Sequence, residues 1–218
     1  MRLVKLTFGL LAIFSTTALA SASAFAAETL WPWLPGKDNT KFTGNGKKTL
    51  FETKAGQKIE CASFSILTGE GLLTIEKTLG LAVIHFLGCK TSGLPINSVG
   101  DEKEIILAHV DLHNCTIAAG DFGILLTLLP LHLTIPITAL LIVLDGSFIA
   151  LVLAPNILKL EHKLNIKQTK GKQEIEKCEG GSKDTLLFND DEKGAEELGV
   201  EVQEEASIVF AVAQTAML

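Results

Sequence analysis

The chain has 218 residues, 47% of them hydrophobic, with four cysteines, no tyrosine and a formal net charge of −6. Its only arginine is Arg2, so almost the whole chain lacks the planar fork that grips phosphate or carboxylate in two places. The negative charge and the lack of a GxxxxGK[ST] phosphate loop argue against nucleic acid and against tight binding of multiply charged anions.

Residues 1–26 have the three-part layout of a secretory signal peptide. Arg2 and Lys5 make a positive start, Leu6 to Ala20 is apolar with small polar residues, and Ala24-Phe25-Ala26 supplies a small-x-small cleavage site. The competing reading, a membrane-anchoring helix, is disfavoured by the small-residue tail and the missing positive flank. No cysteine sits at the cut to carry a lipid. Cleavage after Ala26 leaves 192 residues and, without Arg2 and Lys5, a net charge of −8. That length suits one domain with a real core. The expected location is secreted or periplasmic, in the cell envelope, with no integral membrane segment after cleavage.

Residues 27–48, rich in Gly, Asn, Lys and Pro and carrying Trp31 and Trp33, read as an N-terminal arm, and residues 49–218 as a single β-rich domain. Leu50–Lys54 and Gln57–Ser63 flank an Ala55-Gly56 turn. Ser63–Leu67 and Leu72–Glu76 flank Thr68-Gly69-Glu70-Gly71. Strands over Leu81–Leu87 and Lys103–His113 follow. Leu140–Leu144 and Ser147–Leu153 flank Asp145-Gly146, the strongest short hairpin signal. From Leu158 to Lys167 apolar and charged residues alternate, placing Leu158, Leu160, His162, Leu164 and Ile166 on one face of a half-buried strand. Gln173–Cys178, Thr185–Phe188, Val200–Glu204 and Ile208–Ala213 complete the strands, whereas the Ala and Glu content of Lys193–Leu198 suggests a short helix.

Ile124 to Leu144 carries no formal charge over 21 residues, long enough to cross a bilayer as a helix. Pro130, Pro136, His132 and three threonines interrupt it, which favours strands buried on both faces or lining an apolar cavity. An outer-membrane barrel would carry aromatic girdles, and this chain has no Tyr and both Trp in the arm. The expected fold is all-β: an antiparallel β-barrel or β-sandwich of about a dozen short strands, preceded by the signal peptide.

Cys61, Cys89, Cys115 and Cys178 are an even set in an exported chain, consistent with two disulfides in any of three connectivities. They contain no CxxC pair, so a structural zinc knot is not expected.

One cluster resembles a site. If 103–113 is a strand, His109, Asp111 and His113 share a face, about 6.5–7 Å apart in succession, so that two can share a metal or Asp111 can orient an imidazole. His85, His132 or His162 can add a ligand if the fold brings one near. The competing reading is a polar outer face with Ile106, Ala108, Val110 and Leu112 turned to the core, because HxDxH lacks the closely spaced ligand set of known zinc enzymes. No GxSxG elbow occurs, no catalytic set stands out and no cofactor is expected. Asp190/Asp191, Glu196/Glu197 and Glu204/Glu205 read as solvated surface charge. His162 reads as a hydrogen-bonded core histidine, and the two tryptophans as packing of the arm.

The run Thr49-Leu50-Phe51-Glu52-Thr53-Lys54-Ala55-Gly56-Gln57-Lys58-Ile59-Glu60-Cys61 continues through Thr68–Gly71, His85-Phe86-Leu87-Gly88-Cys89-Lys90 and Asn97–Gly100, and extends to Leu164–Glu176. In these the chain resembles a family of secreted bacterial proteins known mainly from genomes. Members often carry a further Cys near the position of Ile96. The resemblance implies a shared fold built on turn glycines, a strand cysteine and alternating apolar positions, and transfers no activity. Taken together, the expected role is an exported, non-enzymatic β-domain with an interaction or structural part in the bacterial cell envelope, its partner a protein. The alternatives are a binding protein for a small apolar molecule in a barrel cavity and a metal-dependent enzyme using His109, Asp111 and His113.

Overall fold

The computed structural model describes residues 33–34, 40–74, 79–101, 104–118, 121–136, 138, 140–190 and 194–216. The leader, its cleavage site and Trp31 lie outside them. In chain order the strands are β1 (Trp33–Leu34), β2 (Thr40–Gly46), β3 (Thr49–Thr53), β4 (Lys58–Cys61), β5 (Ser63–Leu73) and β6 (Leu79–Leu87). Then come β7 (Lys90–Thr91), β8 (Leu94–Pro95), β9 (Asn97–Ser98), β10 (Ile105–Ala118), β11 (Asp121–Ile135) and β12 (Leu140–Val152). The last are β13 (Lys159–Asn165), β14 (Gln168–Thr169), β15 (Lys172–Gln173), β16 (Leu186–Asp190), β17 (Gly194–Val202) and β18 (Ala206–Ala216).

Eight of these close on themselves as an antiparallel barrel in the order β12-β13-β18-β2-β5-β6-β10-β11, with β11 pairing back onto β12. Period-2 alternation builds its interior. Phe42 on β2, Phe64 and Ile66 on β5, Ile84 and Phe86 on β6, and Val110 and Leu112 on β10 all point inward and are buried. The outward positions between them include Lys41, Asn45, His109, Asp111 and Glu161. The interior is apolar, whereas the lumen of a transmembrane barrel is polar.

Further strands, several of them short, extend the sheet from β12 in the order β16-β17-β3-β4-β7-β8, while β9 adds to β11. β12 serves both parts. Its first half pairs with β16, Ile142 opposite Asp190 through Gly146 opposite Leu186, and its last residues pair with β13. Gly146 sits where the neighbour changes, at φ +105°, and a Cβ there would run into the Thr185 carbonyl. Only glycine tolerates that combination cheaply. β2 and β5 approach closely at the barrel's edge, and a Cβ on Gly46 would enter the Phe64 ring.

One continuous apolar core runs through both parts, from Phe42 and Phe210 in the barrel to Ile59, Leu186 and Leu198 beyond it. Edge-on contact of Phe51 with Phe86, at 5.2 Å between ring centres, joins them. Of the three connectivities, the chain uses Cys61–Cys89 and Cys115–Cys178. The second bond ties the segment after β15 across the outside of β10–β12, where Cys115, Cys178, Leu125 and Ile149 form a second small core with Ile117 and Ile175. This strap explains the unbroken apolar run in β11: Ile124 and Leu126 face the barrel interior and Leu125 lies under the strap.

The barrel or sandwich expectation resolves to a closed barrel with extra strands, and Ile124–Leu144 to parts of β11 and β12. Pro130 falls in the bulge between Leu128 and Leu131, and Pro136 in the turn that follows β11. Five local expectations are corrected. Asp145-Gly146 is no hairpin turn, because β12 runs through it paired to β11 on both sides; the positive φ serves a change of neighbour instead. Thr68–Gly71 likewise lies inside β5, whose register shifts between Ser65 and Gly71. Gly194–Leu198 of the expected helix is strand, held between β16 and β3, so pairing on both edges overrides helix propensity. The barrel also begins inside the expected arm, as β2. Finally, His162 and Ile166 are buried as the alternation requires, but Leu158, which precedes β13, and Leu160, at the register shift between Lys159 and Glu161, are exposed.

Candidate functional site

β10 carries His109, Asp111 and His113 on its outer face, alternating with buried Ala108, Val110 and Leu112. The register surrounds them with side chains that do not ligate metals. Val83, Leu81 and Leu79 of β6 stand opposite the three in turn, and Thr127 and Leu125 of β11 stand opposite Asp111 and His113. Among the described residues no group of three His, Cys, Asp or Glu side chains is placed to hold a metal ion. The other histidines are dispersed. His85 is engaged by Glu70, 2.7 Å away across the β5 bulge, and Glu70 also accepts the Leu67 amide. His132 is exposed on β11, and His162 is inside the barrel, edge-on to Phe210 with ring centres 6.0 Å apart.

The acidic pairs part company. Asp190 is buried at the end of β16, while Asp191 lies outside the described residues. Glu204 and Glu205 are exposed and paired to Lys47 at 2.6 Å and Lys163 at 3.3 Å. Glu197 anchors an ion-pair chain with Lys54 and with Lys183, which also reaches Glu176 at 2.7 Å; Lys172 meets Glu176 at 3.3 Å. Hydrogen bonds from Lys54 and then Lys183 hold the Glu197 carboxyl below its ordinary value, and Lys183 and then Lys172 do the same for Glu176. Their contacts hold the strap down; nothing in them is arranged around a reacting atom.

Beside an open space of 270 Å³ among Lys41, Thr68 and Val209, two concavities stand out. Inside the barrel, Phe42, Phe64, Phe148, Leu164 and their neighbours enclose about 50 Å³, with Thr49 and Asn114 the only polar residues in the wall. Sites for drug-sized ligands have some 300–1,000 Å³, so this interior is too small for one. The larger space, 840 Å³, is an open mouth among the extra strands. Ile59, Ile142 and Phe188 form its apolar floor, Lys58, Glu60 and Lys90 stand on its rim, and the Asp190 carboxyl lines one side. Three turns far apart in sequence meet there, at Ala55-Gly56, Ser92-Gly93 and Thr138. Sequence reasoning missed this mouth because no local pattern marks it; of the three turns, only Ala55-Gly56 was read as one.

Fold and surfaces together define an antiparallel eight-stranded barrel with an attached sheet and two disulfides, bonds that belong to an oxidising, extracytoplasmic setting. The chain matches no family model, no curated protein and no solved structure.

Proposed function

We propose that this protein is an exported, non-enzymatic interaction domain of the bacterial cell envelope. One observation carries the reading: both disulfides are buried and join segments distant in sequence, in a chain whose first 26 residues have the layout of an export signal. A barrel interior too small for a drug-sized ligand favours a role for the outside, and the imidazoles of His109 and His113 stand on a strand's outer face instead of converging in a cleft. Resemblance to secreted bacterial proteins supports the same compartment. Cell fractionation with intact-mass measurement tests it: the expected product lacks residues 1–26, lies outside the cytoplasm and has no free thiol. A full-length, reduced, cytoplasmic product would overturn the reading.

The mouth favours a second reading, a binding protein for a small apolar molecule, because its floor is apolar and its volume ample. A fluorescent fatty-acid analogue should then bind, and Leu140→Arg, at a half-buried position in the wall of the mouth, should weaken binding at least tenfold. No binding to the wild-type protein would end that reading.

A further inference from the structure

The mouth among the extra strands has an acid built into its apolar side. Along β16 burial alternates, with Leu186, Phe188 and Asp190 covered and Leu187 and Asn189 open, so the Asp190 side chain faces the same way as the Phe188 ring on the floor. Same-face neighbours on a strand lie about 6.5–7 Å apart, which sets carboxyl and ring side by side. Opposite Asp190 in the ladder is Ile142, itself part of the floor. Asp190 is only 4% exposed, yet it stands in the wall of the mouth. The other charged residues of that wall sit on the rim with side chains about half exposed, and each is answered from outside the mouth. Lys58 reaches Glu52 at 3.3 Å, Lys90 reaches Glu104 at 3.7 Å, and Glu60 is met by Lys48 at 3.5 Å. Water and salt screen the rim charges, whereas a covered carboxylate acts through a medium of lower dielectric. The charge that governs what enters is therefore Asp190.

We infer that the mouth binds a small organic amine, an ammonium carried on an apolar chain or ring, with the ammonium at Asp190 and the apolar body on Ile59, Ile142 and Phe188. The inference rests on the binding reading of the mouth given above and names the ligand class that the reading leaves open. An ammonium donates to a carboxylate in a charge-assisted hydrogen bond, stronger than one between neutral groups. The face of the neighbouring Phe188 ring attracts a cation held within about 6 Å of its centre. A space of 840 Å³ lies in the range of small-molecule sites, where an apolar lining gives affinity and a few polar groups give orientation. An anionic head has no comparable receptor here. Lys58 and Lys90 already serve Glu52 and Glu104, and the only arginine of the chain is Arg2.

The test uses protein expressed from the full chain, isolated as the cell processes it, and two fluorescent probes. Dansylcadaverine ends in an ammonium; its N-acetyl derivative has the same ring and chain without the charge. Wild type is expected to bind the ammonium probe at least tenfold more tightly than the acetylated one. Asp190→Asn, which keeps the shape of the side chain, should make the two affinities equal, while Glu60→Gln on the rim should keep the preference. Equal binding of the two probes by wild type, or no binding of the ammonium probe, overturns the inference. The binding reading survives either result if the fatty-acid analogue still binds, and falls too if that analogue is silent. A preference that persists in Asp190→Asn, or that disappears in Glu60→Gln, overturns the assignment to Asp190. Should Asp190→Asn fail to fold, the wild-type comparison and the exposed Glu60→Gln position still decide.

Discussion

Gly146 shows how much a single residue decides in this fold. Read along the chain, Asp-Gly between two apolar runs is a two-residue hairpin turn. In the fold the same positive φ lets one strand hand over from β16 to β13 without leaving β11. The Asp145 carboxylate accepts the Gly146 amide at 2.7 Å, and the Thr185 carbonyl fills the space a side chain would need. The conformational demand was legible; its use was not, because a turn and a bulge ask the same thing of the backbone. Gly146→Ala combines unfavourable φ with a backbone clash and is expected to destabilise by about 2 kcal/mol or more. Urea denaturation should show a lower midpoint at unchanged slope. A variant as stable as wild type would mean that the junction is not held at this residue.

Among elements, the strap from Lys172 to Asp184 has the least regular structure and the most cross-connections. Cys178 bonds to Cys115, the Glu179 amide donates to the Thr116 carbonyl, and the Ser147 hydroxyl donates to Asp184. Lys172, Lys183 and Lys54 link it through Glu176 and Glu197 to β17 and β3. Because both carboxyls are held below their ordinary 4.5, their contribution is complete above that value and is lost as pH falls through the lowered folded values. The pairs are partly exposed, so the effect is modest and salt-sensitive. The urea midpoint should fall from neutral pH into the acid range, and Glu197→Gln should flatten that fall. Equal slopes in variant and wild type would show that other carboxyls govern acid stability. β11 and the start of β12 could be read as strands from the prolines and polar residues that interrupt their apolar run, and the even cysteine count announced two bonds. Which cysteines pair, and that an irregular segment would cover Leu125 and Ile149, depends on contacts some 60 residues apart, with Cys115 and Cys178 separated by 63. The same distance effect hid the mouth, whose wall comes from three separate turns, and turned Gly194–Leu198 from an expected helix into a strand between two neighbours.

At the scale of the molecule, the barrel and its extra strands share β11 and β12 and have no apolar boundary between them. Leu133 and Leu144, both fully buried, belong to those shared strands, and Phe86 touches Phe64 on one side and Phe51 on the other. Neither part can lose its core without exposing the other's, so the two should unfold together. Calorimetry is expected to give one transition whose van't Hoff and calorimetric enthalpies agree. Leu133→Ala, which leaves a cavity in the shared wall, should cost roughly 2–5 kcal/mol and move that single transition down intact. Two separate transitions, in wild type or variant, would show that the barrel holds without the attached sheet. The mouth would then sit on a part able to open by itself, whereas a single transition makes its floor of Ile59, Ile142 and Phe188 as rigid as the barrel and leaves the exposed loops as the adaptable surface.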